Sequence, residues 1–593
     1  MSAPRPYYEE KIALCTAQLR TVRERLTSLA ILRLIVFIGL CVAVYHLFPS
    51  LSPSLGVLSL LLLAGFILLV NGYFRQKDKK ALLEKQLFVC TNEQAVLDHR
   101  PNGFPDGKDH LDSYSYLDDL DIFGPNSLFH LLNRTTTSHG KARLATLLRA
   151  PLLNIEEIQR QQQAIQVLSR QPDKRQLLTA KGLLAGEKEG NLHSLTGWLS
   201  SPSRIHGRKM LTIFRWLLMA YNLFSIGVYL ATDLYIPLLT GVLISWSFIG
   251  SFLSYISAQH LLISKKQAIL DQYAAVLSVF NTINPQGSAL LQEEQTRTSS
   301  AHRAIRRLSQ LAAFFDQRLN VLVNIFLNSF LLYDLHIMAG LEKWKETYKE
   351  KFHEWIDAVG NIESLNSLAS FAFNNPEFVY PVPVQDQHLQ LSATQLAHPL
   401  IPAAERVAND CTIGKDQRLI LVTGSNMSGK TTFLRTMGVN LLLAQCGAPV
   451  CAGDFSFTPM QLLTSLRVSD SLQEHTSYFM AELKKLQRII HHLREGAPSL
   501  VLIDEILRGT NSEDKTYGSE QFIRKLLQYQ CLSFFATHDL SLGSLENEMP
   551  GQVSNYCFES DISGGELHFD YRLRQGIARN RNASFLMKKM DII

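Results

Sequence analysis

Residues 419–432 read Leu-Ile-Leu-Val-Thr-Gly-Ser-Asn-Met-Ser-Gly-Lys-Thr-Thr, an apolar run that breaks into a glycine-punctuated loop. Few stretches of this length constrain a fold as tightly. The run predicts a strand buried on both faces, which needs parallel neighbours. Gly424, Gly429, Lys430 and Thr431 fill the G-x-x-x-x-G-K-[ST] template. The glycines let the backbone curl so that its N–H groups face a phosphate, and Gly424, Ser425, Asn426, Met427, Ser428, Gly429, Lys430, Thr431 and Thr432 make up the cradle. Lys430 is placed to reach the β/γ-phosphates and the Thr431 hydroxyl to ligate Mg²⁺. Residues 432–445 read as a helix whose positive N-terminal end points at the same anion.

Two further apolar runs end in chemistry that suits this loop. Ser499-Leu-Val-Leu-Ile-Asp-Glu closes on Asp504, a carboxylate suited to Mg²⁺, and Glu505, placed to polarise an attacking water. Leu532-Ser-Phe-Phe-Ala-Thr-His closes on His538, placed to sense a γ-phosphate. Taken singly, an acidic strand end or a lone histidine is commonplace. Three such runs in this order fit a parallel sheet whose loops converge at its carboxyl edge.

The chain resembles a known family at these points. Gly424-Ser-Asn-Met-Ser-Gly-Lys-Thr-Thr, Ser477-Tyr-Phe-Met-Ala-Glu-Leu, Asp504-Glu-Ile-Leu-Arg-Gly-Thr, Ala536-Thr-His and Val407-Ala-Asn-Asp are similar to the ATPase domain of the MutS DNA mismatch repair proteins. Leu131-Leu-Asn-Arg-Thr-Thr-Thr-Ser-His-Gly-Lys-Ala-Arg-Leu, with Leu147-Leu-Arg-Ala-Pro-Leu, resembles the start of the MutS helical core. The likeness covers roughly residues 113–200 and 260–590. It implies an ABC-type ATPase working as a dimer, with ATP and Mg²⁺ at the interface. It also implies that Ser477 completes the partner's nucleotide site in trans, where the plain alternative is a helix N-cap. Asn426 sits where the family also has Asn, for contact with the γ-phosphate or the water. The chain departs from the family in Ser425 for a usual Pro, Tyr478 for a usual Thr and Leu507 for a usual Gly, none of which removes a catalytic atom. Ile562-Ser-Gly-Gly-Glu imitates an ABC-transporter signature, but it falls after the histidine strand and reads as a hairpin turn.

Far from the loop, residues 34–74 contain no Asp, Glu, Lys or Arg, and residues 216–264 contain only Asp233. Breakers near the middle of each run, Pro49 and Pro53 in the first and Pro237 in the second, predict helical hairpins of 34–49 with 54–74 and of 214–232 with 235–256. Each arm is close to the minimum for crossing about 30 Å of hydrocarbon. A surface helix pair in water needs a polar stripe, and these have none. Arg20, Arg23, Arg25 and Arg33 precede the first hairpin and Arg75, Lys77, Lys79 and Lys80 follow it. Arg204, Arg208, Lys209 and Arg215 precede the second, with Lys265 and Lys266 behind it, and the short turns carry no Lys or Arg. The positive-inside rule places the turns outside and the rest in the cytoplasm, on the nucleotide side of an inner membrane.

The resulting organisation has an N-terminal amphipathic helix (1–33), membrane hairpin 1 (34–74), a connector (75–112), a first helical core segment (113–210), membrane hairpin 2 (211–256), a second core or lever segment (257–370) and the ATPase domain (371–593). The fold class expected is an α/β ABC-type P-loop domain plus an all-α MutS-like core, with two transmembrane helical hairpins. Length, 593 residues, suits several domains. Net charge is +5, a weak hint of polyanion binding to which the membrane-flanking basic residues contribute. The eight cysteines form no C-x-x-C pair, so reduced thiols and no metal cluster are expected. Arg297, Arg303, Arg306 and Arg307 lie in a polar stretch that reads as a solvated helix face before it reads as a DNA contact.

A Phe-x-Glu wedge of the kind mismatch readers insert beside a base step is not found, so the expected form is a membrane-anchored variant without the N-terminal mismatch-recognition domain. The second hairpin falls near the place where the family carries its DNA clamp. Two functions stay open: an ATPase that binds DNA, as the resemblance implies, with repair-type protein partners unspecified, and a membrane-bound ATP-driven switch or scaffold without mismatch recognition. An exporter fits less well, since four short spans interrupted by core give a small pathway.

Overall fold

A computed structural model describes residues 3–50, 52–111, 115–184, 191–386, 388–425, 427–467, 478–507, 511–563 and 566–579. The chain begins with two long helices, α1 (Pro4–Ser50) and α2 (Pro53–Leu97), the second opened by a proline at its first turn. The expected amphipathic helix and first arm of hairpin 1 are thus one rod. The expected connector from residue 75 is helical as far as Leu97, because its polar and apolar residues keep a helical period against α1. Cys15, Leu19, Val22 and Leu83 form the seam between the two rods. At the far end Phe37 meets Phe66 with ring centroids 5.7 Å apart. Beyond the seam the apolar side chains face outward on all sides, with Leu34, Ile38, Leu60 and Leu68 all exposed. An exposed apolar surface on this scale marks an interaction site, with a partner or with lipid.

The base of this hairpin is locked to the body. Tyr8 is buried and its hydroxyl donates to Asn374 Oδ1 at 2.7 Å, while Asn374 Nδ2 donates to Glu93 Oε2 at 2.8 Å. Glu93 also pairs with Arg134 at 2.6 Å, both side chains almost wholly buried. Buried charges are tolerable only when matched in this way. Tyr8→Phe removes one bond of this network and leaves Asn374 Oδ1 without that donor, so the full chain is expected to lose about 1–2 kcal/mol in denaturant melts.

The helical body continues with α3 (Tyr116–Asp119), α4 (Leu128–Leu132), α5 (Ser138–Arg149), α6 (Ile155–Ser169), α7 (Pro172–Gly182) and α8 (Asn191–Ser200). The Thr-Thr-Thr-Ser-His-Gly stretch earns its place structurally. Thr137 caps α5 by accepting from Gly140 N at 3.0 Å. The fully buried Glu363 carboxylate accepts the backbone N–H groups of Thr136 and Thr137, at 3.0 and 3.1 Å, and both hydroxyls. Burial pushes this carboxyl above its usual range against those bonds. A Cβ on Gly140 would stand 2.0 Å from Glu363 Oε2, which is why glycine is needed there.

Next come α9 (Lys209–Thr232), α10 (Ile236–Gly250) and α11 (Leu253–Ile263), then α12 (Gln267–Phe280), α13 (Ala289–Thr298), α14 (Ala301–Asp316), α15 (Val321–Leu331) and α16 (Tyr333–Asn374). Among the described residues, α1, α2 and α9 are long and apolar enough to cross a membrane. The expected fourth arm, 235–256, is not one straight helix. It breaks after Gly250, and α10 and α11 meet at a bend of 63°. The 42-residue α16 is the spine of the body, packed on α5, α6 and α14.

From Asn375 the chain turns to strands, so helix persists four residues past the expected boundary at 371. A four-stranded sheet is built from β1 (Val382–Pro383), β2 (Gln390–Leu396), β3 (Asn409–Gly414) and β5 (Asp454–Phe457), in the order β1-β5-β2-β3. The main sheet starts with β4 (Leu419–Gly424), which feeds α17 (Lys430–Gln445). After β5 (Asp454–Phe457) come β6 (Gln461–Ser465), α18 (Tyr478–Arg494), β7 (Ser499–Asp504), α19 (Ser512–Leu526), β8 (Cys531–Thr537), α20 (Leu545–Glu548), β9 (Val553–Ser563) and β10 (Glu566–Gln575). The order is β10-β9-β4-β8-β7-β6, parallel except for β10 against β9. Strands β4, β7 and β8 are buried at every residue, as strands covered on both faces must be. Ser563 pairs with Glu566 across the β9–β10 hairpin.

Candidate functional site

Strand β8 lies between β4 and β7, so their carboxyl ends stand side by side. This brings Gly424, Asp504 and His538 to one edge, because each residue ends or follows its strand. The loop after β4 turns at Gly424 and Gly429, with φ of 155° and 105°. A Cβ on Gly424 would lie 2.7 Å from Ser428 Oγ and 2.8 Å from Phe558 O, so the curl excludes a side chain. Met427 takes the left-handed region at φ 69° and exposes its side chain.

Lys430 Nζ donates to the carbonyls of Gly424 and Ser425, at 2.7 and 2.9 Å, which folds the ammonium back over the loop. Thr431 Oγ1 is hydrogen-bonded to Asp504 Oδ2, so the two expected Mg²⁺ ligands are in contact. Glu505 Oε1 and His538 Nδ1 are 2.7 Å apart. On the far side of the ring, Lys515 Nζ lies 3.1 Å from His538 Nε2. A lysine ammonium only donates, so Nε2 accepts, Nδ1 carries the proton, and the imidazole donates to Glu505. Lys515 sits in α19 and nothing in its sequence neighbourhood marks it. Asn426 and Ser477 lie outside the described residues.

The site opens into a cavity of about 860 Å³. One wall is the loop with Asp504 and Glu505, and the other is made by His398, Ile401, Arg406 and Val407. Tyr571, carried by the irregular part of β10, closes over Gly429. Burial, helped by Arg435 and Arg406, pushes the His398 imidazole down to about 4 from its ordinary 6.5. The neutral ring thus belongs to the folded state. Between those two values the unfolded chain binds more protons, so stability falls as pH drops from 6.5 towards 4. Thermal melts over that range should show a shallower slope for His398→Leu than for the wild type.

The chemistry of a phosphate ligand fits these residues. The Ser428 hydroxyl is buried with no hydrogen-bond partner among the described residues, a donor inside a cradle otherwise made of backbone. The lysine, the positive start of α17 and the hydroxyl–carboxylate pair complete an anion-and-metal arrangement.

A second cluster ties this edge to the helical body. Asp119 of α3 is completely buried and accepts Lys485 Nζ at 2.7 Å, Thr464 Oγ1 at 2.5 Å, Leu466 N at 3.1 Å and Arg467 N at 2.9 Å. Asp121 pairs with Arg435 of α17 at 2.8 Å and with Arg467 at 2.5 Å. Between them Leu120 packs on Gly438 of α17, where a Cβ would approach to 2.8 Å. Helices α17 and α18, one opening at the loop and the other following residue 477, are both held by three residues of the body.

The fold and the loop define the phosphate-loop class of α/β domain. Residues 420–588 match the family model of MutS domain V, and residues 115–372 match that of MutS domain III. The chain belongs to the MutS family. It is 33% identical over 228 residues to the DNA mismatch repair protein MutS of Chlorobium phaeovibrioides, covering 37% of this chain and 26% of that protein. Against the DNA mismatch repair protein MutS of Staphylococcus haemolyticus it is 28% identical over 249 residues, covering 41% and 28%. Against that of Thermotoga maritima it is 28% identical over 262 residues, covering 42% and 32%. The chain therefore spans less than a third of the length of these curated relatives.

Proposed function

We propose that this chain is a membrane-anchored ATPase that binds and hydrolyses ATP at an interface between two copies and acts on DNA. One observation carries the proposal: Lys430, Thr431, Asp504, Glu505 and His538 meet at a single sheet edge beside a glycine cradle. In this reading Lys430 and the loop N–H groups hold the phosphates. Thr431 and Asp504 would hold Mg²⁺, which neutralises charge on the phosphoryl oxygens. Glu505 accepts a proton from the attacking water, with His538 and Lys515 orienting it. Ser477 reaches the partner's nucleotide, so closure of the dimer is coupled to ATP. The clasp at Asp119 and Asp121 passes that movement to the body, and α1, α2, α9 and α10 hold the whole at an inner membrane with the site on the cytoplasmic face.

DNA as the target follows from the relatives, each a DNA mismatch repair protein. A second reading, an ATP-driven membrane switch or scaffold, is favoured by the apolar helices that interrupt the stretch matching domain III. A salt titration of duplex and branched DNA binding by the full chain in nanodiscs separates them. Phosphate contacts give affinity falling steeply and linearly in log–log form with salt, and no binding at low salt favours the switch. In the same preparation, a non-hydrolysable ATP analogue with Mg²⁺ should convert monomer to dimer by mass. A monomer at saturating analogue would remove the interface from the proposal.

A further inference from the structure

The first half of helix α15 (Val321–Leu331) exposes apolar side chains that a protein surface in water would cover. Val321, Leu322, Ile325 and Phe326 lie on one face and point outward, with Leu322 80% and Phe326 62% exposed. Leu319, just before the helix, extends the same apolar patch. On the same side of the helix, one to two turns further on, the polar Asn328 and Ser329 are buried. Asn328 Oδ1 accepts Asp334 N at 2.9 Å and its amide donates to Asn324. Ser329 Oγ accepts Trp246 Nε1 of α10 at 3.0 Å, and Ser329 O accepts Asn222 Nδ2 of α9 at 3.2 Å. Asn222 in turn donates to Ser245 Oγ at 2.9 Å. The second half of the helix is thus pinned to α9 and α10 by polar groups, and the exposed apolar side chains of its first half add to theirs, where Leu217, Phe224 and Leu243 are also exposed.

From these contacts we infer that α15 lies in the plane of the bilayer, the exposed apolar side chains of its first half buried in the leaflet beside α9 and α10. Eleven residues span about 16 Å, too short for the roughly 30 Å of hydrocarbon. A bend of 84° separates α15 from α16, so a lever standing away from the membrane leaves α15 lying along it. An in-plane helix normally turns its polar face to water. Here protein groups satisfy Asn328 and Ser329 in the second half of the helix, and the first half leaves Val321, Leu322, Ile325 and Phe326 for the lipid. A second copy is a poorer occupant, because stable interfaces use roughly 20–30 residues a side. The inference rests on the reading that α9 and α10 are membrane helices, and it adds a lipid contact inside what the sequence presents as continuous lever.

Spin labels at Phe326→Cys and, separately, Leu322→Cys test it in the full chain reconstituted in nanodiscs. The exposed Cys41 is replaced by Ser, and the other cysteines, all buried, are left in place. Leu243→Cys on α10 and Gln310→Cys on the exposed polar face of α14 serve as references. The expected result is an oxygen-to-nickel-chelate collision ratio at 322 and 326 several-fold above that at 310 and comparable to that at 243. Ratios at 322 and 326 equal to that at 310, with 243 in lipid, would overturn the inference and leave the anchor standing. Shielding from both reagents, with dipolar broadening, would mean a second copy covers α15 and would also overturn it. An aqueous signal at 243 as well would remove the anchor itself.

Discussion

Replacing Glu505 with glutamine is expected to leave Mg²⁺–ATP binding in place and to lower turnover by about 10²–10⁴-fold, the range typical of losing a positioned general base. The amide keeps the shape that His538 contacts at 2.7 Å but cannot take a proton from water. Lys430→Ala is expected to fail one step earlier, at binding, because no other described side chain places an ammonium against the carbonyls of the loop. Filter binding and single-turnover assays on the two variants separate the steps. Equal turnover by Glu505→Gln and wild type would show that another group activates the water. Lys515→Ala adds a milder comparison. Losing the cation that fixes the His538 tautomer should reduce turnover less than Glu505→Gln does and leave nucleotide affinity unchanged.

Asp119→Ala should have the largest structural effect. It strands the Lys485 ammonium and three further donors in a site closed to water. Breaking one side of a buried ion pair costs about 3–5 kcal/mol. Denaturant melts should show that loss, and they should also lose cooperativity if the clasp joins the helical body to the nucleotide domain. Asp119→Asn, which keeps the shape and one acceptor oxygen but turns an amide NH2 towards the remaining donors and loses the charge, should recover only part of the stability. A variant of Asp119→Ala with wild-type melting would mean that the body and the nucleotide domain are held elsewhere.

The parts of the site that could be read in the sequence are those whose chemistry is local. The 424–432 loop was legible because, in the proposed site, one phosphate would be held by its glycines, lysine and threonine, which therefore fall within a few residues of each other. Asp504 and His538 were legible because each ends an apolar strand. Lys515 and Asp119 were not, since each acts on a partner distant in sequence and sits in an ordinary polar helix. The extent of α2 was hidden by its polar stretch after residue 75, which looks like a connector until α1 is placed beside it. Helix α15 was hidden for a different reason. Its apolar residues read as part of a continuous lever, and only the packing shows that Asn328 and Ser329 are buried while Leu322 and Phe326 stay exposed. The break after Gly250 likewise leaves no proline in the sequence to announce it.

Titration of the full chain in nanodiscs with ATP, with and without Mg²⁺, reads the nucleotide site itself. The expected result is one saturable nucleotide site per chain, weakened when the metal is chelated and absent in Lys430→Ala. Wild-type protein that stays folded and takes up no nucleotide at millimolar ATP with Mg²⁺ would contradict it.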